Sequence, residues 1–257
     1  MSIDIRLLHE MPELTEAARL FVEVWRPPDG QLQVVPELMR AWAHSGCYVS
    51  GAYDGDVMVA ASAGFFGHPG ERVSYHSHIT GVLPAAQGRG VGLAVKQHQY
   101  AWALERGVAE IVWTFDPLLA RNAFFNLARL GADAHPYLPD FYGDMSDGVN
   151  AGQGSDRLYV HWDVVPGGPF PRETDAGDAP VVLAVGPDAA PEHSPSDAAR
   201  VLVGIPPDVE RMRAEQPDLA RSWRSAVREM LGGLLADGGR ITGFTRAGQY
   251  VVERSGS

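Results

Sequence analysis

Val82-Leu83-Pro84-Ala85-Ala86-Gln87-Gly88-Arg89-Gly90-Val91-Gly92 is the stretch from which the rest of the chain is read. Upstream, residues 73–83 read as a strand. Downstream, residues 91–106 carry apolar side chains at 91, 94, 95, 101 and 102, the spacing of one helical face. A tight glycine loop therefore joins a strand to the first turn of a helix. Glycines let the backbone approach a ligand and turn its amides inward, and a helix N-terminus adds unpaired N–H groups and a positive dipole. The loop is an anion cradle suited to a pyrophosphate. It lacks the Gly-Lys-Ser/Thr of a P-loop, and no G-x-G-x-x-G with a following acidic residue supports a dinucleotide reading.

Working outward, residues 3–7 alternate as a strand, and residues 12–25 and 36–44 read as helices. Residues 48–53 and 57–66 read as strands joined by the tight turn Asp54-Gly55-Asp56, with a loop at His68-Pro69-Gly70. Beyond the cradle helix come a strand at 110–115, a helix at 118–129 and strands near 134–142 and 158–163. The polar run 143–156 is long for a loop inside a compact domain, which favours a functional segment. A Pro/Gly/acidic run at 166–180 reads as a linker. Residues 181–257 then read as a small α/β segment: strands at 181–185 and 200–205, a helix opened by Pro206-Pro207-Asp208, a longer helix at 217–236, and a terminal hairpin at 240–254. The expected class is mixed, α+β or α/β. The tail extends the sheet, caps a cleft or forms a homodimer face, and the residues leave the three open.

The 257 residues carry a net charge of -11, which argues against nucleic-acid and anionic-membrane partners. Cys47 is the only cysteine, so an internal disulfide and a multi-cysteine metal site are excluded. No apolar run has the length of a membrane span and the N-terminus has no signal-peptide core, so a cytoplasmic protein is expected. Basic charge is almost all arginine, with Lys96 the sole lysine.

Gln87-Gly88-Arg89-Gly90-Val91-Gly92, led in by Val82-x-Pro84, resembles the Q/R-x-x-G-x-G/A signature of the GNAT superfamily of acyl-CoA-dependent N-acyltransferases. A second segment, Arg121-Asn122-Ala123-Phe124-Phe125-Asn126-Leu127-Ala128-Arg129-Leu130-Gly131-Ala132, is similar to the family's later motif. The element order over residues 1–165 is that of a GNAT catalytic domain, with a central twisted mixed sheet flanked by helices. The resemblance implies acetyl-CoA, succinyl-CoA or another acyl-CoA as co-substrate and no metal. It implies that the amides of Gln87, Gly88, Arg89, Gly90, Val91 and Gly92 and the Arg89 side chain hold the pyrophosphate. Val82 would bond the pantetheine arm, the Thr80 amide would polarise the thioester carbonyl, and Asn122, with Phe125 on the same segment, would contact the CoA arm.

A transferred acyl group also needs an unprotonated amine and a proton for the leaving thiolate. His76, His78 and Thr80 are expected to share a strand face by period two, and His76 stands where some relatives carry a carboxylate base. An imidazole near pKa 6.5 suits an amine near 8 better than a lysine-like one. Asp116 either orients the ammonium or caps the helix after Pro117. Leu127 occupies the position of the family's acidic tyrosine, so Tyr137, Tyr142, Asn126 or water must be considered as the acid; Leu127 and Phe125 also read as core. Tyr142, Asp144, Asn150, Ser155, Asp156 and Arg157 offer groups for a carboxylate-bearing substrate, with Arg157 the fork that would bind it. The expected function is transfer of an acyl group to a small-molecule amine, an amino acid or related metabolite, by direct attack. The alternatives are a degenerate CoA-binding sensor or assembly module and an aminoglycoside-type resistance enzyme.

Overall fold

The computed structural model describes residues 3–27, 31–69, 72–143, 153–168 and 170–255; Asp144 and Asn150 lie outside them. Two compact units are present. The first takes in the described residues up to Trp113 together with 163–168, and the second takes in the rest.

In the first unit β1 (Asp4–Leu7), β2 (Val49–Asp54), β3 (Val57–Pro69) and β4 (Val73–Val82) lie side by side as antiparallel neighbours, and β5 (Glu110–Phe115) begins parallel to β4. Helices α1 (Met11–Trp25) and α2 (Pro36–His44) cover one face. Leu14, Ala17, Phe21 and Met39 bury against Val49, Ala61, Ala63 and Ile79, the apolar stripe expected from their 3.6-residue spacing. Helix α3 (Val91–Glu105) covers the other face, where Val91 and Val95 meet Ala60, Val59 and Val82. Gly81 is required where α1 crosses β4, because a Cβ there would stand 2.8 Å from the Trp25 ring.

The second unit begins within β5. Helix α4 (Ala120–Ala123) continues as a π-helix over Phe124–Arg129, and β6 (Asp133–Leu138) pairs antiparallel with β7 (Arg157–Asp163). Gly131 ends the π-helix at φ 67°, and the Phe170 carbonyl packs so close that any Cβ would collide with it. A five-stranded sheet follows in the order β11-β12-β10-β8-β9, from β8 (Val181–Val185), β9 (Pro191–His193), β10 (Arg200–Gly204), β11 (Arg240–Phe244) and β12 (Gln249–Glu253). Helices α5 (Val209–Glu215) and α6 (Pro217–Val227) precede a π-turn at Arg228–Gly232 and α7 (Gly233–Ala236). Trp223 is fully buried, its Nε1 donating to the Ala189 carbonyl at 2.8 Å. Residues 164–180 contain no helix or strand among those described, yet part of the run is fixed. The Arg172 amide donates to Ala128 O and its guanidinium pairs with Asp133 at 2.8 Å, while Thr174 Oγ1 accepts from the Phe244 amide.

Candidate active site

The first unit holds the cradle. After β4, Pro84–Ala86 forms one 3₁₀ turn, and Gly88 and Gly90 follow at φ 75° and 82°. These angles, rather than space, demand glycine, because a Cβ at either position would meet nothing within 4 Å. Gly90 caps α3 without a side-chain bond, so the first amides of the helix lack intrahelical partners and face outward. Gln87 Nε2 donates to the Val82 carbonyl at 3.1 Å and ties the loop back to the strand. Arg89 Nη2 pairs with Asp54 at 2.7 Å, which fastens the expected phosphate ligand to the β2–β3 turn.

The hydrogen-bond phase of β4 decides what its outer edge presents. Leu83 donates to the Val59 carbonyl at 2.9 Å, and Gly81 and Ile79 stand opposite Ala61 and Ala63. Opposed residues in an antiparallel ladder alternate between bonded and non-bonded pairs, so Thr80 and Val82 turn their N–H and C=O groups away from β3. On that side β5 is in register only with Ser74–His76. The backbone of Thr80 and Val82 therefore offers a strand edge that leads into the cradle. Their side chains point to the α3 face, where Thr80 Oγ1 bonds Ser62 Oγ at 2.8 Å.

The two histidines do not share that face. The β3–β4 register shifts between Ala63 and Phe65, where β4 carries one extra residue, and such a bulge breaks strict alternation. His76 stacks on Phe65 at 5.0 Å and His78 meets Trp42 of α2 edge-on at 6.0 Å, so both rings lie on the α2 side. The expectation of one His76–His78–Thr80 face fails for this reason. Desolvation lowers both imidazoles, and the neighbouring charges of His78 and Lys96 help bring His76 to about 4. Both are neutral at pH 7, and His78 is the more exposed.

Sequence reading missed Lys96. It lies buried within the unit, its Nζ donating to Ser77 at 2.9 Å and Gln99 at 3.1 Å and sitting 4.0 Å from the centroid of the Trp113 ring. Burial pulls its pKa down to about 7. Its singularity in composition was the one available signal.

In the second unit Asp116 is 4% exposed and saturated. Oδ1 accepts from Arg224 Nη1 at 2.7 Å and the Leu118 amide at 2.9 Å; Oδ2 accepts from Arg224 Nη2 at 2.7 Å and Arg213 Nη2 at 2.5 Å. Burial raises its pKa, but the arginines prevail and hold it near 2. It is no base for an ammonium. Its bond from the Leu118 amide closes a turn ahead of α4, whose N-cap is Leu119 with no side-chain bond, so Asp116 is not the helix cap that one sequence reading expects, and the arginines displace the other reading.

Tyr137 donates to Asp156 at 2.6 Å, is buried, and is held well above the usual phenol range, which removes it as the acid. Asp156 also takes Arg228, which reaches Asp140 as well. Tyr142 is exposed, with its hydroxyl 3.0 Å from Thr114 Oγ1 and its amide donating to Ser155 Oγ. Arg157 is buried, not a surface cation; it donates to the Asp156 carbonyl and lies 5.2 Å from the Tyr142 ring centre. Leu127 and Asn126 are buried, Phe125 is half-buried, and Asn122 lines a small cleft between Leu118–Asn122 and Pro207–Glu210. No metal-ligating cluster occurs among the described residues, and none of their helices is long and apolar enough to cross a membrane.

The sequence profile of the acetyltransferase (GNAT) family matches residues 13–131, from α1 through the glycine that ends the π-helix. Residues 13–131, a little under half of the chain, thus match a GNAT acetyltransferase domain. Solved structures share the fold. A protein of Desulfovibrio desulfuricans described as of the GNAT family superposes with TM-score 0.52 at 16% identity, covering 64% of this chain and 100% of its own. An N-acetyltransferase of Staphylococcus aureus Mu50 gives 0.51 at 11% identity, again covering 64% and 100%. A Salmonella typhimurium protein solved with its cofactor acetyl-CoA gives 0.50 at 15% identity over 66% of this chain and 98% of its own. At these identities the likeness concerns the fold alone, and over a third of the chain lies outside each match. No curated protein sequence matches significantly. Within the GNAT domain the cradle, the β4 edge and the histidine pair all come from one unit.

Proposed function

We propose that the protein transfers an acetyl group, or another acyl group such as succinyl, from acyl-CoA to the amine of a small molecule, an amino acid or related metabolite, by direct attack. The observation that carries this reading is the edge of β4 at Thr80 and Val82, turned away from β3 and past the register with β5, running into the Gln87–Gly92 amides, with Gln87 Nε2 on the Val82 carbonyl. An extended pantetheine arm pairs with such an edge as an added strand does, and a pyrophosphate suits the helix N-terminus. The Thr80 N–H then donates to the thioester oxygen; a preorganised donor of this kind is worth about 2.7–4 kcal/mol in the transition state.

His78 is the favoured base. Moving a proton from an amine of pKa about 8 to an imidazole near 4 costs roughly 5 kcal/mol, which disfavours His76. Trp42 and Phe65 beside His78 give the amine an aromatic wall, and a ring face attracts an ammonium.

A second reading, a CoA-binding sensor or assembly module without efficient turnover, is favoured by Leu127, packed into the core where relatives carry their tyrosine. Thiol release from acetyl-CoA and succinyl-CoA against a panel of amino acids, other small amines and aminoglycosides separates the readings. Amine-dependent CoA release is expected. Tight acyl-CoA binding without release across the panel would favour the sensor.

A further inference from the structure

On the α2 side of the first unit four rings meet. Trp42 of α2 lies 5.4 Å from Phe65 of β3 and meets His78 of β4 edge-on at 6.0 Å; Phe65 lies 5.8 Å from His78 and stacks on His76 at 5.0 Å. Local structure explains the cluster. Met39 and Ala43 are buried and pin α2 to the core, and Trp42, three residues after the one and one before the other, falls at the margin of that stripe and stays half-buried. The bulge that follows the Phe65–His76 pair carries both imidazoles to the same face. Phe65 and His76 are half-buried and His78 is exposed, so the cluster opens to solvent at its His78 end.

The cluster is aromatic without being charged. Neither imidazole is protonated at pH 7, and among the described residues no carboxylate acts on either: His78 and Lys96 act on His76, and desolvation alone acts on His78. An ammonium group other than the reacting one would find no counter-ion on this face. The faces of Trp42 and Phe65 suit a flat π-system, which gains from offset or edge-on stacking beyond its area of contact. Thr80, whose amide is proposed to polarise the thioester, follows His78 by two residues, roughly 6–7 Å along the same strand. A carrier group extending from an amine at His78 meets Phe65 and Trp42, the two rings packed beside that imidazole.

We propose that the acceptor is a primary amine carried on an aromatic ring, and that Trp42 and Phe65 are specificity-determining residues that stack on that ring while His78 takes the amine. This rests on the acyltransferase reading with His78 as its base, and it narrows the acceptor from small amines in general to flat, apolar ones with a single amino group. Polycationic acceptors, aminoglycosides included, are disfavoured by the same face, which offers them no carboxylate.

The test compares CoA release from acetyl-CoA and succinyl-CoA with two matched pairs of amines, phenylalanine against alanine and phenethylamine against ethylamine, and with kanamycin as a polycation. In whichever pair is turned over, the aromatic member is expected to have a kcat/KM about ten-fold higher or more, with the difference lying in KM. Trp42→Leu keeps apolar bulk and removes the ring; it should bring that ratio to within about two-fold of unity, while Trp42→Phe should keep most of it. Rescue by the second ring separates stacking from a merely structural role of Trp42 in α2. Should Trp42→Leu loosen α2, Phe65→Leu on the neighbouring strand replaces it in the comparison. A wild type that prefers alanine, ethylamine or kanamycin, or a ratio unmoved by Trp42→Leu and Phe65→Leu alike, would overturn this inference and leave the acyltransferase reading standing. No amine-dependent release across the panel would remove both.

Discussion

At the scale of residues, the decisive contrast lies between two histidines two positions apart. His76, stacked on Phe65 and disfavoured by His78 and Lys96, is driven to about 4; His78 is lowered by desolvation and more open. His78→Ala is expected to cut kcat by about 10²–10⁴-fold, the usual worth of a general base, with acetyl-CoA affinity spared. His76→Ala should cost much less. Since both pKa values are lowered, the acidic limb of the kcat/KM profile should lie below 6.5, the ordinary imidazole value. Equal, wild-type-like rates in the two variants would sink the histidine base. Asp116 makes a different forecast. Its folded pKa is near 2 against an unfolded value near 4, so its stabilisation is complete above pH 4 and is lost as pH falls through 2. The amount is roughly 2 kcal/mol, and urea titrations across that window should show the slope flatten in Asp116→Asn. The sequence marked Asp116 as a cap or an acid, and nothing local could choose, because the arginines that silence it lie 97 and 108 positions away.

At the scale of elements, the helices and strands of the family domain were legible because their apolar periodicity and glycine turns are local signals. Residues 110–115 and 36–44 fold over the expected ranges. The strand register was not legible. One extra residue in β4 sends His76 and His78 to the α2 face and Thr80 to the α3 face, and a bulge leaves no composition mark. β3 extends to Pro69, past the expected end at 66, through pairing with β4, and β9 forms between the strands expected at 181–185 and 200–205, through pairing with β8. Helix α3 carries a further consequence. Lys96 has a folded pKa near 7 and an unfolded value near 10.4, so between those values the unfolded chain binds more protons and stability rises with pH. Lys96→Met should abolish that rise, and thermal melts at pH 7 and 9.5 would show it. An unchanged pH slope in the variant would mean that the ammonium is not buried as the structure has it.

At the scale of the molecule, the chain divides so that the glycine cradle belongs to one unit, while Asn122, Asp116 and the five-stranded C-terminal sheet belong to the other. The tail's strands were legible from alternation, but its involvement with the α4 turn was not, since it runs through Arg213, Arg224 and Tyr250. The central claim is that the Gln87–Gly92 amides hold an acyl-CoA pyrophosphate. Gly90→Asp tests it cleanly: open space surrounds the site and Asp tolerates φ > 0 comparatively well, so the fold should survive at a cost of about 1–2 kcal/mol. The added carboxylate then stands where the anion must sit. Calorimetric titration of both proteins with acetyl-CoA is the most direct measurement. Saturable binding by the wild type, lost in well-folded Gly90→Asp, is the expected result; equal binding by the two proteins, or none by the wild type, would contradict the account.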